Sequence, residues 1–253
     1  MLDLGNTRLK IARAAARGAA AGDVIALAHA DPDFERRLRA VIAAQAGDGS
    51  SDRREAWLAS VAPVAVRVRV EAAFAAAGIR VRLAQTQHEC AGVRIAYADP
   101  ARLGVDRFLG LLAARARGGD QLVVSFGSAI TVDLLDGAGC HRGGLVGIAE
   151  AHAAEALRER FAALDRGEGD PRVAFATDTP DAVAAAAHRQ ALGLVLAAWD
   201  DACATLAGPP MLLVAGGDAL RYADPLARRL RTEVTVSDTL VLDGLHRYAD
   251  ALR

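Results

Sequence analysis

Leu2-Asp3-Leu4-Gly5-Asn6-Thr7 is a short apolar strand with one carboxylate, running into a glycine flanked by small polar residues. Glycine lets the backbone bend tightly and present N–H groups and hydroxyls to a phosphate, and a carboxylate beside such a turn is a hard ligand that can hold Mg2+ next to a triphosphate. Lys10, the only lysine in the 253-residue chain, follows the turn. There its compact ammonium would meet phosphate oxygens, although a solvated strand end accounts for it equally well. The pattern returns at Val124-Ser125-Phe126-Gly127-Ser128-Ala129-Ile130-Thr131, with Ser125 at the point matching Asp3. Two copies point to a duplicated nucleotide-binding core, of which only the first keeps its acid.

Two further segments carry chemistry. In Gly104-Val105-Asp106-Arg107, at the start of a helix, a carboxylate and a guanidinium adjacent in sequence face different directions. Asp106 suits a general base toward a hydroxyl, and Arg107 suits bidentate capture of an anionic substrate group. Alone, the segment reads as well as a helix N-terminal carboxylate beside a surface arginine. In Ala215-Gly216-Gly217-Asp218 a Gly-Gly turn follows an apolar strand and precedes a helix, so a ligand can approach the backbone closely. The two hairpins and this turn together supply phosphate contacts from two lobes and a flat surface for adenosine, which points toward ATP.

The elements that must position these residues alternate in period. The first lobe reads as a hairpin over 3–14, a helix over 33–46, a strand over 56–61, a helix over 64–77, a strand over 79–83 and a helix over 102–117 closed by Gly118-Gly119; 46–52 reads as a surface loop. The second opens on a strand over 121–125, continues with strands over 131–135 and 141–146 around the turn Asp136-Gly137-Ala138-Gly139, then helices over 149–163 and 179–206. A strand over 211–214, a helix to 231, a strand over 233–236 and a helix over 242–252 complete it. The expectation is an α/β protein of two lobes, 1–118 and 119–253.

Composition narrows the class. With 53% hydrophobic residues the chain can bury one large core or two modest ones, and a formal charge of −1 gives no basic field for nucleic acid. No predominantly apolar run reaches the roughly 20 residues of a membrane span. Cys90, Cys140 and Cys203 show no C-x-x-C pairing and fit small buried or incidental thiols in a reducing compartment. No signal peptide precedes Asp3, so the expected location is cytoplasmic, without nucleic-acid or membrane partners. The six histidines show no ligand spacing and read as surface or packing residues.

The ordered set of motifs, with Tyr97-Ala98-Asp99-Pro100, Gly143-Gly144 and Gly127 through Asp133 added, resembles the type III pantothenate kinases over essentially the whole chain. These belong to the acetate kinase, sugar kinase, Hsp70 and actin superfamily. The resemblance implies two ribonuclease H-like, actin-like ATPase lobes with mixed sheets flanked by helices. It implies ATP-dependent phosphorylation of pantothenate to 4'-phosphopantothenate, the first step of coenzyme A biosynthesis. By matching position, Asp106 would be the base, and Asp3, Leu4, Gly5, Asn6, Thr7, Arg8, Leu9, Lys10 and Ser128 would bind ATP. Tyr97, Gly104, Val105, Asp106, Arg107 and Thr179 would surround pantothenate. Mg2+ held through the phosphates and Asp3, a monovalent cation (K+ or NH4+), and a homodimer in which Thr179 acts on the partner's site are also implied.

The chain departs from that pattern at three places. Ser125 replaces an acidic residue linked with the monovalent cation, Ser128 replaces a common threonine, and Ile148-Ala149 replace a Pro-Gly turn. A neutral hydroxyl is a poor K+ ligand without a nearby carboxylate, so reduced cation dependence or a rearranged site is expected. Only Met1 and Leu2 precede Asp3, which implies a nearly absent first strand or a start lying upstream. The readings competing with an active kinase are a nucleotide-binding regulatory relative, accessory to transcription, and a kinase of another small hydroxy acid.

Overall fold

The computed structural model describes residues 1–13, 23–45, 54–161, 164, 167–206 and 208–253. In chain order the first elements are β1 (Leu2–Leu4), β2 (Arg8–Ala12), β3 (Val24–Ala28), α1 (Phe34–Gln45), β4 (Glu55–Ser60), α2 (Val64–Ala76) and β5 (Arg80–Leu83). A small hairpin of β6 (Glu89–Cys90) and β7 (Val93–Arg94), a 3-10 turn (Pro100–Arg102) and α3 (Val105–Arg115) follow. Then come β8 (Gln121–Phe126), β9 (Ala129–Leu135), β10 (His141–Ile148), α4 (Glu150–Arg160) and α5 (Thr179–Leu206). The chain closes with β11 (Met211–Ala215), α6 (Ala219–Leu230), β12 (Val234–Ser237) and α7 (Leu240–Ala251).

Two compact units result: Met1–Gly118 with Gly137–Arg142 and Thr239–Arg253, and Gly119–Asp136 with Gly143–Asp238. In the first, the sheet order is β3-β2-β1-β4-β5, with β1 antiparallel to β2 and parallel to β4. Alternation along β1 sends Leu2 and Leu4 into a core with Leu9, Ile11, Phe34, Leu38, Ile42, Val70 and Phe74, and turns Asp3 to the other face. On that other face Trp57 of β4 meets Tyr248 of α7 edge-on at 5.5 Å, and Phe108 of α3 meets the same ring at 6.2 Å. Gly244 lets α7 cross α3 closely, because a Cβ there would lie 1.9 Å from the carbonyl oxygen of Leu109.

The second unit repeats the layout. Its sheet runs β10-β9-β8-β11-β12, the same order by sequence rank as the first, with β8 antiparallel to β9 and parallel to β11. This is the duplicated ribonuclease H-like topology of actin-like ATPases. Four residues join Leu4 to its partner Leu9, and three join Phe126 to Ile130. Val124, Phe126, Val132, Val195, Trp199, Val214 and Tyr222 form the core.

Several expectations change. Residues 137–142 and 239–253, read as second-lobe sequence, pack in the first unit. The Arg94 N–H donates to Gly139 O at 2.9 Å, and a Cβ on Gly139 would stand 2.0 Å from Gly92 O, so the β9–β10 turn is fastened to β6–β7. Helix α3 begins at Val105 and not near 102, because Asp99 caps the 3-10 turn and Leu103 is extended. Helix α5, contrary to the expectation of no span-length apolar run, is long and apolar enough by length and composition to cross a membrane. Its Val183, Ala187, Ala191, Leu192, Val195, Ala198 and Trp199 are nevertheless packed inside the unit, as in a core helix. The strand β3 and the hairpin β6–β7 carry no clear sequence pattern, being short, and β3 is an edge strand with one buried residue. The loop at 46–52 and the ends of the expected hairpin and helix at residues 14 and 163 lie outside the described residues.

Candidate active site

Asp3 sits at the centre of the first sheet, opposite Lys10 of β2 and Ala59 of β4. Burial pushes its carboxyl up to about 6, the Lys10 ammonium opposes that shift, and the nearby Asp106 charge reinforces it. The first phosphate-loop candidate and the candidate base are therefore in electrostatic reach. Leu4 and Leu9 are fully buried, so they can offer a ligand only backbone groups. The Gly5 N–H is spent on Arg8 O at 3.0 Å, which closes the turn and leaves Asn6, Thr7 and Arg8 exposed at its tip.

Asp106 and Arg107 occupy the first turn of α3, where backbone N–H groups lack helical partners. Gly104 caps without a side chain, and Oδ1 of Asp106 accepts from the Arg107 N–H at 2.8 Å. Arg107 Nη1 donates to the Tyr97 hydroxyl at 3.4 Å, with its guanidinium carbon 5.9 Å from the centre of the Tyr97 ring. Tyr97 is stacked on the buried His141, at 5.9 Å and 7° between planes, and the Ala96 N–H points at His141 Nδ1 at 3.5 Å. Thus Tyr97, Asp106 and Arg107 form one group, and Val105 contributes the helix start.

In the second unit Ser125 lies opposite Thr131 and Ala215, in the register that Asp3 has to Lys10 and Ala59. Gly127 N–H closes its turn onto Ala129 O at 3.1 Å, with Ser128 at the tip. Gly216 has φ +100°, and a Cβ there would lie 2.1 Å from Phe126 O, which also accepts the Asp218 N–H at 3.2 Å. Gly217 faces open space. The second hairpin and the Gly-Gly turn are therefore locked together through one carbonyl, with a bare backbone surface beside them. Thr179 starts α5 and lines a groove with Leu157, Phe161 and Ala182.

The sequence profile of the type III pantothenate kinases matches residues 1–201. The chain belongs to the type III pantothenate kinase family. It is 39% identical over 253 residues to the type III pantothenate kinase of Xanthomonas axonopodis pv. citri (strain 306), covering 99% of this chain and 97% of that protein. It is 38% identical over 249 residues to that of Stenotrophomonas maltophilia (strain R551-3), covering 98% and 96%. Among solved structures, a protein assigned to the Baf family of transcriptional activators from Campylobacter jejuni superimposes with TM-score 0.59 at 16% identity, covering 98% of this chain and 96% of that one. Component A of the (R)-2-hydroxyglutaryl-CoA dehydratase of Acidaminococcus fermentans gives 0.53 at 11%, covering 100% and 98%. At such identities the likeness is one of fold alone.

This pantothenate kinase phosphorylates pantothenate in coenzyme A biosynthesis, and the family uses ATP with a divalent metal. The residues present fit such an ion. Ionisation of Asp3 is opposed by burial and by Asp106, and a cation beside it relieves both. Among the described residues no group of three or more His, Cys, Asp or Glu converges to hold a metal unaided, which suits an ion carried largely by substrate phosphates. Sequence reasoning missed His141 and the cluster of Glu150, His188, Arg221 and Tyr222. Neither has a spacing signal, since each is assembled from elements far apart in the chain.

Proposed function

We propose that the first unit binds the triphosphate through the hairpin from Asp3 to Lys10 and phosphorylates pantothenate at its primary, 4'-hydroxyl with Asp106 as base. The grouping of Asp106, Arg107 and Tyr97 around one helix entry, in electrostatic reach of Asp3, carries this reading. Tyr97 and Gly104 through Arg107 hold pantothenate, the Arg107 guanidinium pairing with its carboxylate. The pantothenate hydroxyl attacks the γ-phosphorus in line, the bond from that phosphorus to the β–γ bridging oxygen breaks, and ADP leaves. The hydroxyl proton passes to the Asp106 carboxylate. Asp3 would hold Mg2+ together with the phosphates, and the ion would supply neutralisation of charge on the leaving group.

In the second unit Ser128 and the Gly216-Gly217 backbone offer ATP contacts of their own. Ser125 offers no charge to a monovalent cation, so K+ or NH4+ gains little there. The edge strand β10 exposes Leu145, Val146 and Ile148, and α4 ends on the exposed Phe161. An edge strand carrying apolar side chains favours pairing of two copies, which supports a homodimer in which Thr179 serves the partner's site. Such an enzyme works in the cytoplasm. Purified protein with ATP, Mg2+ and pantothenate, compared with Asp106→Asn, tests the assignment. The Asn variant should lose about 100-fold or more in kcat, and full activity in that variant would remove Asp106 from the role of base.

A further inference from the structure

The second unit holds a half-buried polar cluster that none of the kinase motifs includes. Glu150, in the first turn of α4, has a side chain 13% exposed and accepts from three side chains: His188 Nδ1 of α5 at 2.9 Å, and the Arg221 guanidinium and Tyr222 hydroxyl of α6. The Tyr222 ring lies between two others, stacked on Phe126 at 4.0 Å and 10° and on His188 at 5.3 Å and 15°. Burial, the hydrogen bond and the Glu150 charge all raise the phenol above its usual range, so it stays a donor.

The cluster reaches both candidate nucleotide turns through Phe126, and the Arg221 N–H also donates to Asp218 O at 3.0 Å. Phe126 is the last residue before Gly127-Ser128, and its carbonyl oxygen meets Gly216 and accepts the Asp218 N–H. Its ring is the one stacked on Tyr222. A half-buried carboxylate whose guanidinium partner is exposed adds little net stability, because desolvation and solvent screening offset the attraction. What it adds is direction, since three donors converging on two oxygens admit one arrangement.

We propose that Glu150 is a positioning residue for ATP: it fixes Tyr222 and Arg221 at the start of α6, and Tyr222 in turn fixes Phe126, so that the Gly127-Ser128 hairpin and the Gly216-Gly217 turn keep one geometry. The inference rests on the reading that these two turns receive ATP. Steady-state kinetics and thermal melts of the full chain, as wild type, Glu150→Gln, Tyr222→Phe and Ser128→Ala, separate the two. Both cluster variants should raise KM for ATP by roughly tenfold, the scale of one hydrogen bond to a charged group, while KM for pantothenate and the melting temperature stay near wild type. Tyr222→Phe keeps the stacked ring, so it remains informative if Glu150→Gln folds poorly. An ATP KM raised by Ser128→Ala but unmoved by Tyr222→Phe overturns the role of Glu150 and leaves the nucleotide site standing. An ATP KM unmoved by Ser128→Ala overturns the site reading and this inference with it. A parallel rise in both KM values with a lowered melting temperature reduces the cluster to a structural role.

Discussion

A Cβ on Gly104 would stand 2.7 Å from Oδ1 of Asp106, so the carboxylate assigned as base occupies the space that any other residue two positions earlier would fill. The obstacle is the end of a side chain and not backbone. Gly104→Ala is therefore expected to rotate Asp106 out of place while leaving α3 folded. Its kcat should fall by about 100-fold, the usual worth of a positioned general base, with a melting temperature close to wild type. A variant with unchanged kcat would show that the observed Asp106 rotamer is not the working one.

Gly216 is the opposite case. Its φ is +100°, and only 2.1 Å would separate a Cβ there from Phe126 O, which sets any side chain against backbone that cannot rotate away. Gly216→Ala should destabilise the protein by about 2–4 kcal/mol, read as a lowered midpoint in urea, and should weaken ATP binding in calorimetry. Gly217→Ala, facing open space, should leave the midpoint unchanged and affect ATP binding alone.

Asp3 links function to stability. Its carboxyl is raised from 3.8 to about 6, so in that window the folded state binds more protons than the unfolded chain and stability falls as pH rises. Above the folded value the penalty is fully present, at most about 3 kcal/mol from a shift of roughly two pKa units. Asp3→Asn should therefore melt at a higher temperature than wild type in metal-free buffer, with a larger gain at pH 8 than at pH 5, while losing kinase activity. An equal gain at both values would show that the carboxylate carries no burial penalty.

Ser125 predicts the response to salt. With K+ replaced by a large organic cation at constant ionic strength, the initial rate should change little. Strong, saturable activation by K+ would show that other oxygens build a cation site there.

The sequence made the layering legible because strands such as β8 and β11 and the helix α5 are bounded by glycines, prolines and sharp changes of period. The hairpin at Asp3 and the entry to α3 were legible for the same reason, each compressed into a few residues of unusual type. What stayed hidden required distant elements to meet. The last helix packs under α3 only because Gly244 admits Leu109, and no feature within 240–251 says which sheet it will cover. His141 looks like any strand residue until the β9–β10 turn is drawn to β6–β7 and its ring meets Tyr97. Glu150 likewise reads as an ordinary first-turn acid, since its partners lie 38 to 72 residues away.

The two hairpins differ by one residue in the loop that joins their strands, four between Leu4 and Leu9 against three between Phe126 and Ile130. Placing an acid at position 125 would thus not reproduce the first hairpin, because the turn is one residue shorter and Thr131, not a lysine, would face the new charge. The halves of this chain share an order of strands without being interchangeable parts, because the two turns differ in both length and facing residue.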